Sequence, residues 1–600
     1  LINMNLLATR GTNCIDLILS TNPDFVFNVI TSEPFGASDH NSILFKVNVQ
    51  KQKIKDLPFR NFRKADYDAI NGFFLTVDWN TIFSHYFSEK DLYSFFLELV
   101  KTAIDMFVPL VSYKKSYCPS LRKLLSKKKN LWKKYKATRS AFDLNKYKKC
   151  DALFKQESEN LKIKEESDIL KNNNVRSFYK FMNCRLKNSK TAPFLIDVTK
   201  NVYSEDIEKA ELFNDYFSSV FTEDDKKLPT FLKPNNVTMQ NISFHEDVVR
   251  LALRKMKASL SVDPDGLCAF FLKNISFSIC RPLSHIFKIS YETGILPDSW
   301  KKVVVVELHK KGDMSKVDNY RPISLCSVVC KLMESIINSQ LLIHLETHKL
   351  FSENQFGFRK NKSCSLQLLK CKSEWTKLLD VGESVDIIYI DFCKAFDSVS
   401  HPKLLSKLEA FGLDQKTCFW IRNFLSDRSQ QVKINSALSS SQNVISGVPQ
   451  GSVLGPTLFL LYVNDLLEIG IQSHVYLFAD DVKIFNTSSN HEKLAYDLNL
   501  ISEWSRKWQL KMSLPKCSVL YLGRNNPKHQ YQLSDYILAN DNINVKDLGV
   551  TIDSHLSFSS HCYNISKKAK TICNMILRSF STRNPNILIK CFTVYVRQIL

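Results

Sequence analysis

Asp480 and Asp481 are adjacent carboxylates inside the segment His474 to Phe485. Apolar runs flank them, Val475 to Phe478 and Val482 to Phe485, with no Gly, Asn or Pro between. That spacing predicts a β-hairpin whose tight turn carries the acidic pair. Like charges side by side repel, and a folded site balances them with a cation. Asp391 ends another apolar run, Val385 to Ile390, the pattern of a buried strand delivering a side chain at its C-terminal edge. Between these two acidic strand ends lies Ser446-Gly-Val-Pro-Gln-Gly-Ser-Val-Leu-Gly-Pro456. Gly447, Gly451 and Gly455 let backbone approach a ligand closely, and Pro456 can open a helix over 457–467. Lys310, Lys311 and Arg321 sit on a predicted hairpin with arms at Val303–Val306 and Asn319–Leu325. Together they suit a polyphosphate, Arg by its planar fork of donors.

Other elements must position these groups. Ser400 and Pro402 predict the start of a helix running to Gly412. Gln355-Phe-Gly-Phe-Arg-Lys360 reads as a Gly-turned loop with a basic tip, and Asp263-Pro-Asp-Gly266 as a turn between helices. Trp504 and Trp508 share one face of a helix over 500–510, and Lys516 precedes a strand over 519–522. Residues 208–221 read as an amphipathic helix that packs on the segments C-terminal to it.

The chain of 600 residues has room for several domains and more than one core. Its 82 basic and 60 acidic residues give a net charge of +22, which points to a polyanionic partner, nucleic acid before membrane. The charge concentrates between Tyr113 and Cys150, where fourteen basic residues and six aromatics meet one acid, Asp143. This is either a solvated helical linker or a helix gripping phosphates. Sixteen cysteines include no Cys-x-x-Cys pair. Zinc-ligand spacing and a disulfide framework are thus not expected, and a reducing compartment is. No secretory signal and no apolar run of membrane length is expected.

Taken in order, seven blocks resemble the reverse transcriptase of non-LTR retrotransposons, most closely the jockey-like LINE elements. They are Asp263–Gly266, Lys310–Asp313 with Asn319–Leu325, Gln355–Lys360, Tyr389–His401, Ser446–Pro456, Phe478–Asp481 and Trp504–Cys517. Glu307-Leu308, Asn361 and Phe478 depart from the usual pattern without touching a carboxylate. The resemblance implies an α+β right-hand polymerase with an antiparallel palm sheet. Residues 236–385 would form the N-terminal region and fingers, 386–525 the palm, and 526–600 a truncated thumb-like region. A mainly helical basic linker, 51–235, would precede them. It implies that Asp391, Asp480 and Asp481 hold Mg²⁺, that Arg321 and Lys311 hold the triphosphate, and that Phe392, Phe396 and Gln450 line the nucleotide site. Phe396 would exclude a 2′-hydroxyl, and Lys516 is a candidate general acid. The implied partners are an RNA template, a DNA primer or target, and deoxynucleoside triphosphates. The implied process is target-primed reverse transcription, in an intracellular, nuclear setting. The alternative is a catalytically decayed nucleic-acid-binding remnant.

Residues 1–50 resemble the C-terminal end of the endonuclease/exonuclease/phosphatase family, through Thr9-Arg10, Ile15-Asp16-Leu17 and Ser38-Asp39-His40. By that resemblance His40 is the catalytic histidine, Asp16 its orienting partner and Asp39 a metal-side carboxylate. The family's earlier motifs have no room before Leu1, so the expectation is a truncated α/β remnant that does not cut DNA alone.

Overall fold

The structure is a computed structural model. It describes all residues except 1, 21–22, 35–37, 48–57, 86–87, 112–117, 172–173, 187–193, 198, 231–236 and 540–542. The expected boundaries at 50/51 and 235/236, and Tyr113 to Tyr117 of the basic stretch, fall outside the described residues. Two compact units result: Leu1–Arg60 with Leu110–Ser116, and Asn61–Pro109 with Tyr117–Leu600.

In the smaller unit, Val26–Ser32 pairs antiparallel with Ser42–Val47, Ile2–Asn3 with Leu19–Ser20, and Phe59–Arg60 with Leu110–Val111. The run Cys14 to Leu19 reads as a strand in sequence, yet only Leu19–Ser20 is one. Side chains claim its backbone groups instead. The Thr9 hydroxyl accepts from the amides of Ile15 (3.0 Å) and Asp16 (3.1 Å), and Asn5 donates to the Asp16 carbonyl (2.6 Å).

The larger unit mixes helices and strands around one main core. It opens with α1 (Tyr67–Thr76) and α2 (Glu89–Phe107). On α2, Leu92, Phe96, Val100 and Ala103 recur at helical spacing, and they enter the same core as Phe271, Phe287 and Trp300. Tyr93 donates to Asp265 (2.8 Å) of the Asp263–Gly266 turn, and Ser278 to Asn71 (2.8 Å). The described residues of 61–109 are therefore structural core and not linker. Each large side chain fully buried there contributes about 1.5–3 kcal/mol.

Helices α3 (Pro119–Thr138), α4 (Ala141–Lys171) and α5 (Val175–Leu186) carry the basic stretch and its continuation. Then α6 (Asp206–Ser219) lays Phe213 and Phe217 on Val303, Val305, Tyr320 and Val432, as its periodicity predicts. Further along come α7 (Ser276–Thr293), β1 (Lys302–His309), β2 (Tyr320–Leu325), α8 (Val328–Thr347), β3 (Val385–Ile390), α9 (His401–Ala410) and β4 (Arg428–Ile434). The chain continues through α10 (Gly455–Val463), β5 (His474–Phe478), β6 (Asp481–Thr487), α11 (His491–Lys507), β7 (Ser518–Leu522) and α12 (Ser559–Ser579). Among the described residues α8 alone is long and apolar enough to cross a membrane, against the expectation of no such run. Its apolar window is 56% buried inside the protein, as in a core helix.

Two sheets matter for the site. One has β1 between antiparallel β2 and parallel β4. The other is four-stranded and antiparallel, in the order β5-β6-β3-β7. Its central strand β3 is apolar apart from Asp386 and Tyr389. Asp386 is buried and accepts from Ser488 (2.5 Å), Asn526 (2.7 Å) and Tyr531 (2.5 Å), so both its side-chain oxygens are hydrogen-bonded.

At the C-terminal end, Ile572, Ile576 and Phe580 pack with Phe178 and Met182 of α5, and Tyr595 stacks on Phe178 at 3.6 Å. Buried Glu166 of α4 accepts from the amides of Ser581 (2.8 Å) and Thr582 (3.0 Å) and pairs with Arg185 (2.6 Å). Two segments that look like linker and tail in sequence thus build one cluster. Glu166→Ala should lower stability by about 1–3 kcal/mol through three unsatisfied donors. Amide-exchange protection lost around residues 579–583 before the rest of the chain would check it.

Candidate active site

Strands β5 and β6 pair up to Phe478 and Asp481, so the turn between them is Ala479-Asp480. Two-residue hairpin turns need positive φ, and Ala479 supplies it at +57° without being glycine. A left-handed alanine costs about 1–2 kcal/mol. Gln355 offsets this: its Oε1 accepts from the amides of both Ala479 (3.0 Å) and Gly357 (2.8 Å). On either side of it, Leu477 donates to the Asn354 carbonyl (3.0 Å) and Phe356 to the Leu477 carbonyl (2.8 Å). The 354–357 segment is thus a short parallel addition to the edge of β5. A Cβ on Gly357 would stand 2.4 Å from the Ala479 nitrogen, so glycine is required there. In sequence this stretch reads only as a basic-tipped loop, and nothing local marks Gln355, whose bond partner lies 124 residues away. The basic tip is also occupied: Arg359 forks onto Glu346 (3.1 and 2.9 Å) and donates to the Ser352 carbonyl (2.7 Å).

The register of β3 against β6 ends at Ile390↔Val482. Continuing that register by one residue brings Asp391, just beyond the end of β3, opposite Asp481, and the Asp391 charge bears on the Asp481 carboxyl. Burial, more than any single charge, raises the Asp480 carboxyl above its ordinary value. Asp391 raises it further, while Arg321 and Lys310 oppose. Asp481 is pushed up to about 6, first by burial, then by Asp480 and Asp391. Its own surface stays open to water at the rim, yet protein atoms crowd it closely enough to weaken its hydration.

Three cationic groups converge here. Lys516 Nζ donates to Asp391 Oδ2 (3.1 Å), with its backbone fixed by the Ser513 carbonyl (2.8 Å). Burial and the neighbouring charges of Arg321 and Lys516 pull the Lys310 ammonium down. Lys310 is one cation whose charge bears on Asp480 and Asp481. Lys311, expected from the resemblance, is the next residue of the same exposed turn, and its charge bears on Lys310. Among the described residues no three His, Cys, Asp or Glu side chains form a ready-made metal cage. The donor set nonetheless fits a hard divalent cation: the charges of Asp391 and Asp480 are close enough to raise the Asp481 carboxyl, and Asp391 is held by an ammonium.

Phe396 is half-buried, stacked on Phe459 of α10 (4.3 Å, 19°) with its edge to Phe358 (6.3 Å, 86°). Phe358 is bonded to Gly357, so contacts run continuously from the acidic turn through Gly357 and Phe358 to Phe396. The glycine-rich loop seats against this segment. Val448 donates to the Phe396 carbonyl (2.7 Å), and Gly447 to that of Val399 (2.8 Å). Gly447 has φ +88°, and a Cβ there would fall 2.7 Å from the Asp397 Cα.

Gln450 is pinned: its Nε2 donates to both oxygens of Asp397 (2.8 Å each), and its carbonyl accepts from Ser324 of β2 (2.8 Å). Asp397 is pushed up to about 6 by burial, with Gln450 and Lys394 opposing. Phe392 requires a correction. Its ring is 3% exposed and lies in the core 6.2 Å from Trp504, which leaves only its backbone for a ligand.

In the smaller unit, His40 Nδ1 lies 2.8 Å from Asp16 Oδ2, and that bond holds the Asp16 carboxyl below its usual range. Asp39 pairs with Arg10 (2.6 Å) and lies 3.9 Å from His40 Nε2.

This arrangement coincides with a known class. Residues 308–552, which contain the three carboxylates together with Arg321, Gln355, Phe396, Gln450 and Lys516, match the family described as reverse transcriptase (RNA-dependent DNA polymerase). The chain is 29% identical over 302 residues to the RNA-directed DNA polymerase from mobile element jockey of Drosophila melanogaster, covering 48% of this chain and 33% of that protein. It is 29% identical over 353 residues to the probable RNA-directed DNA polymerase from transposon X-element of the same fly, covering 56% and 38%. It is 26% identical over 175 residues to a Pol polyprotein from the type-1 retrotransposable element R2 of Popillia japonica, covering 29% and 24%. The chain thus contains a reverse transcriptase domain homologous to the polymerases of mobile element jockey and transposon X-element, and spans about a third of the length of those two relatives.

Proposed function

We propose that this chain is an RNA-directed DNA polymerase that copies retrotransposon RNA onto a DNA primer by two-metal nucleotidyl transfer. The observation that carries the reading is the β3/β6 register, whose last pair, Ile390↔Val482, directly adjoins Asp391 and Asp481 beside the Ala479-Asp480 turn. Residues 236–385 act as fingers, 386–525 as palm and 526–600 as thumb. Asp391, Asp480 and Asp481 would hold Mg²⁺, which when bound lowers the pKa of a primer 3′-hydroxyl and neutralises charge on the triphosphate.

The chain's own groups supply positioning and charge. Arg321 and Lys310 present cations towards Asp480, where a triphosphate would lie. Lys516, hydrogen-bonded to Asp391, is a candidate proton donor to the departing pyrophosphate. Phe396 offers the incoming sugar a ring face with no hydrogen-bonding group. Gln450 shapes the floor through its Asp397 anchor. RNA template, DNA primer and deoxynucleoside triphosphates are the substrates this reading requires, and target-primed synthesis in the nucleus is its natural setting. The Asp16–His40 pair supports reading residues 1–50 as the end of an endonuclease domain.

Primer extension on an RNA template with Mg²⁺ and deoxynucleotides tests the reading. A folded protein that binds template-primer yet adds no nucleotide would instead be a nucleic-acid-binding remnant.

Gln355 acts on the carboxylates only through the turn, as a positioning residue. Gln355→Leu should lower kcat about 10–100-fold, the range for losing a buried acceptor shared by two amides, and leave the KM for deoxynucleotides nearly unchanged. Adding Ala479→Gly should restore part of the loss, because glycine adopts positive φ freely. Loss with no such rescue would mean that Gln355 serves the fold and not the turn.

A further inference from the structure

The hairpin of α3 and α4 is not used by the polymerase site. Its charge is uneven. Residues 126–150, around the turn, hold ten basic residues and one acid, whereas residues 151–171 hold four basic and six acidic. The few carboxylates near the turn are satisfied internally. Asp143 accepts from Thr138 (2.8 Å) and pairs with Lys134 (3.4 Å), and Asp151 pairs with Lys128 and Lys155. Lys129, Lys133, Lys136, Arg139, Lys146 and Lys149 are exposed, and none forms an ion pair with a described carboxylate.

A solvated helix intersperses acids at i±4 to relieve repulsion, as residues 151–171 do. The turn half lacks them and carries uncompensated repulsion that a polyanion would relieve. Aromatic faces sit among the cations. Trp132 is 39% exposed beside Tyr147 (4.9 Å), and Phe142 is 66% exposed with Lys146 Nζ 4.2 Å above its ring. The opposite end of α4 is anchored, through Glu166 and Leu170, in the α5/α12 cluster. From Glu166 back to Ala141 the helix runs roughly 38 Å at 1.5 Å per residue.

We propose that the turn half of this hairpin is a docking surface for single-stranded nucleic acid, in which the lysines and Arg139 track the phosphates and Phe142 and Trp132 stack bases. Interleaved open rings favour a single strand, since a duplex keeps its bases stacked on one another. RNA and DNA share this chemistry, and the test separates them. The surface needs neither carboxylates nor metal, so it stands or falls apart from the polymerase reading.

The experiment uses the full chain carrying Asp480→Asn and Asp481→Asn, without divalent cation. Anisotropy is measured with labelled single-stranded RNA, single-stranded DNA, duplex DNA and phosphatidylserine vesicles across a salt series. Lys133→Gln, Lys136→Gln, Lys146→Gln and Lys149→Gln together keep helix-forming residues at each position, and circular dichroism checks helicity. The slope of log K against log salt for single strands should become shallower by about 3, from about 0.7 per lost phosphate contact. Phe142→Ala should weaken single strands about ten-fold without changing that slope or duplex binding. Stronger loss with RNA than DNA would identify the RNA strand as the ligand, and the reverse would identify DNA; both support the surface. Unchanged affinity and slope would overturn it, as would equal loss on duplex DNA with no effect of Phe142→Ala, or loss on vesicles alone.

Discussion

Asp480→Asn combined with Asp481→Asn should reduce primer extension on an RNA template to background, a loss of about 10³-fold or more. Removing a single preorganised charge contact to a transition state costs about 10²–10³ in kcat, and here two adjacent ligands of the same cations go together. Amide oxygens keep the shape of the turn, so Gln355 can still hold Ala479. A second readout separates lost chemistry from lost fold. Asp481 has a folded pKa of about 6, above its ordinary 3.8, so its ionised form opposes folding. The stability of the neutral form is fully present below 3.8 and is lost as pH rises through 6. Without divalent cation, the Asn variant should therefore melt above the parent at neutral pH, and the gap should close as pH falls towards about 4. A variant that loses extension and also melts lower at neutral pH would contradict this account, because repelling carboxylates cannot be what holds the turn together.

Phe396→Val or Phe396→Ala should cut discrimination against ribonucleotides by about 10–200-fold, the span that one shape contact in a pocket commands. The ring cannot rotate away freely. It is stacked on Phe459 and edged by Phe358, and its carbonyl is held by Val448. A shorter side chain opens room for a 2′-hydroxyl without moving that backbone. Single-nucleotide kcat/KM with each sugar measures the effect, and unchanged selectivity would remove Phe396 from the gate.

Three relations were legible from local pattern alone. Short apolar runs rich in β-formers on both sides of Asp480-Asp481 pair as strands, so the acidic turn is set by spacing. An apolar strand ending on Asp391, and three glycines spaced along 447–455, announce a buried edge and a close approach in the same way. The sequence also determined that residues 206–219 would bury one face, because Phe213 and Phe217 share it.

Tertiary structure decided the rest, because periodicity says which face is apolar but not what covers it. Leu92, Phe96 and Val100 lie in a stretch that its charge makes resemble a linker, and nothing local says that their face joins the main core. Lys310 and Arg321 are eleven residues apart, and only the pairing of β1 with β2 brings both charges to bear on Asp480. Phe392 lies beside Asp391 in sequence but points into the core, since alternate residues of an extended segment face opposite ways. Gln355 was invisible for the plainest reason. Its partner amide at Ala479 becomes a neighbour only when a distant upstream segment lays itself along β5, and that contact allows an alanine to hold the turn where the carboxylates meet.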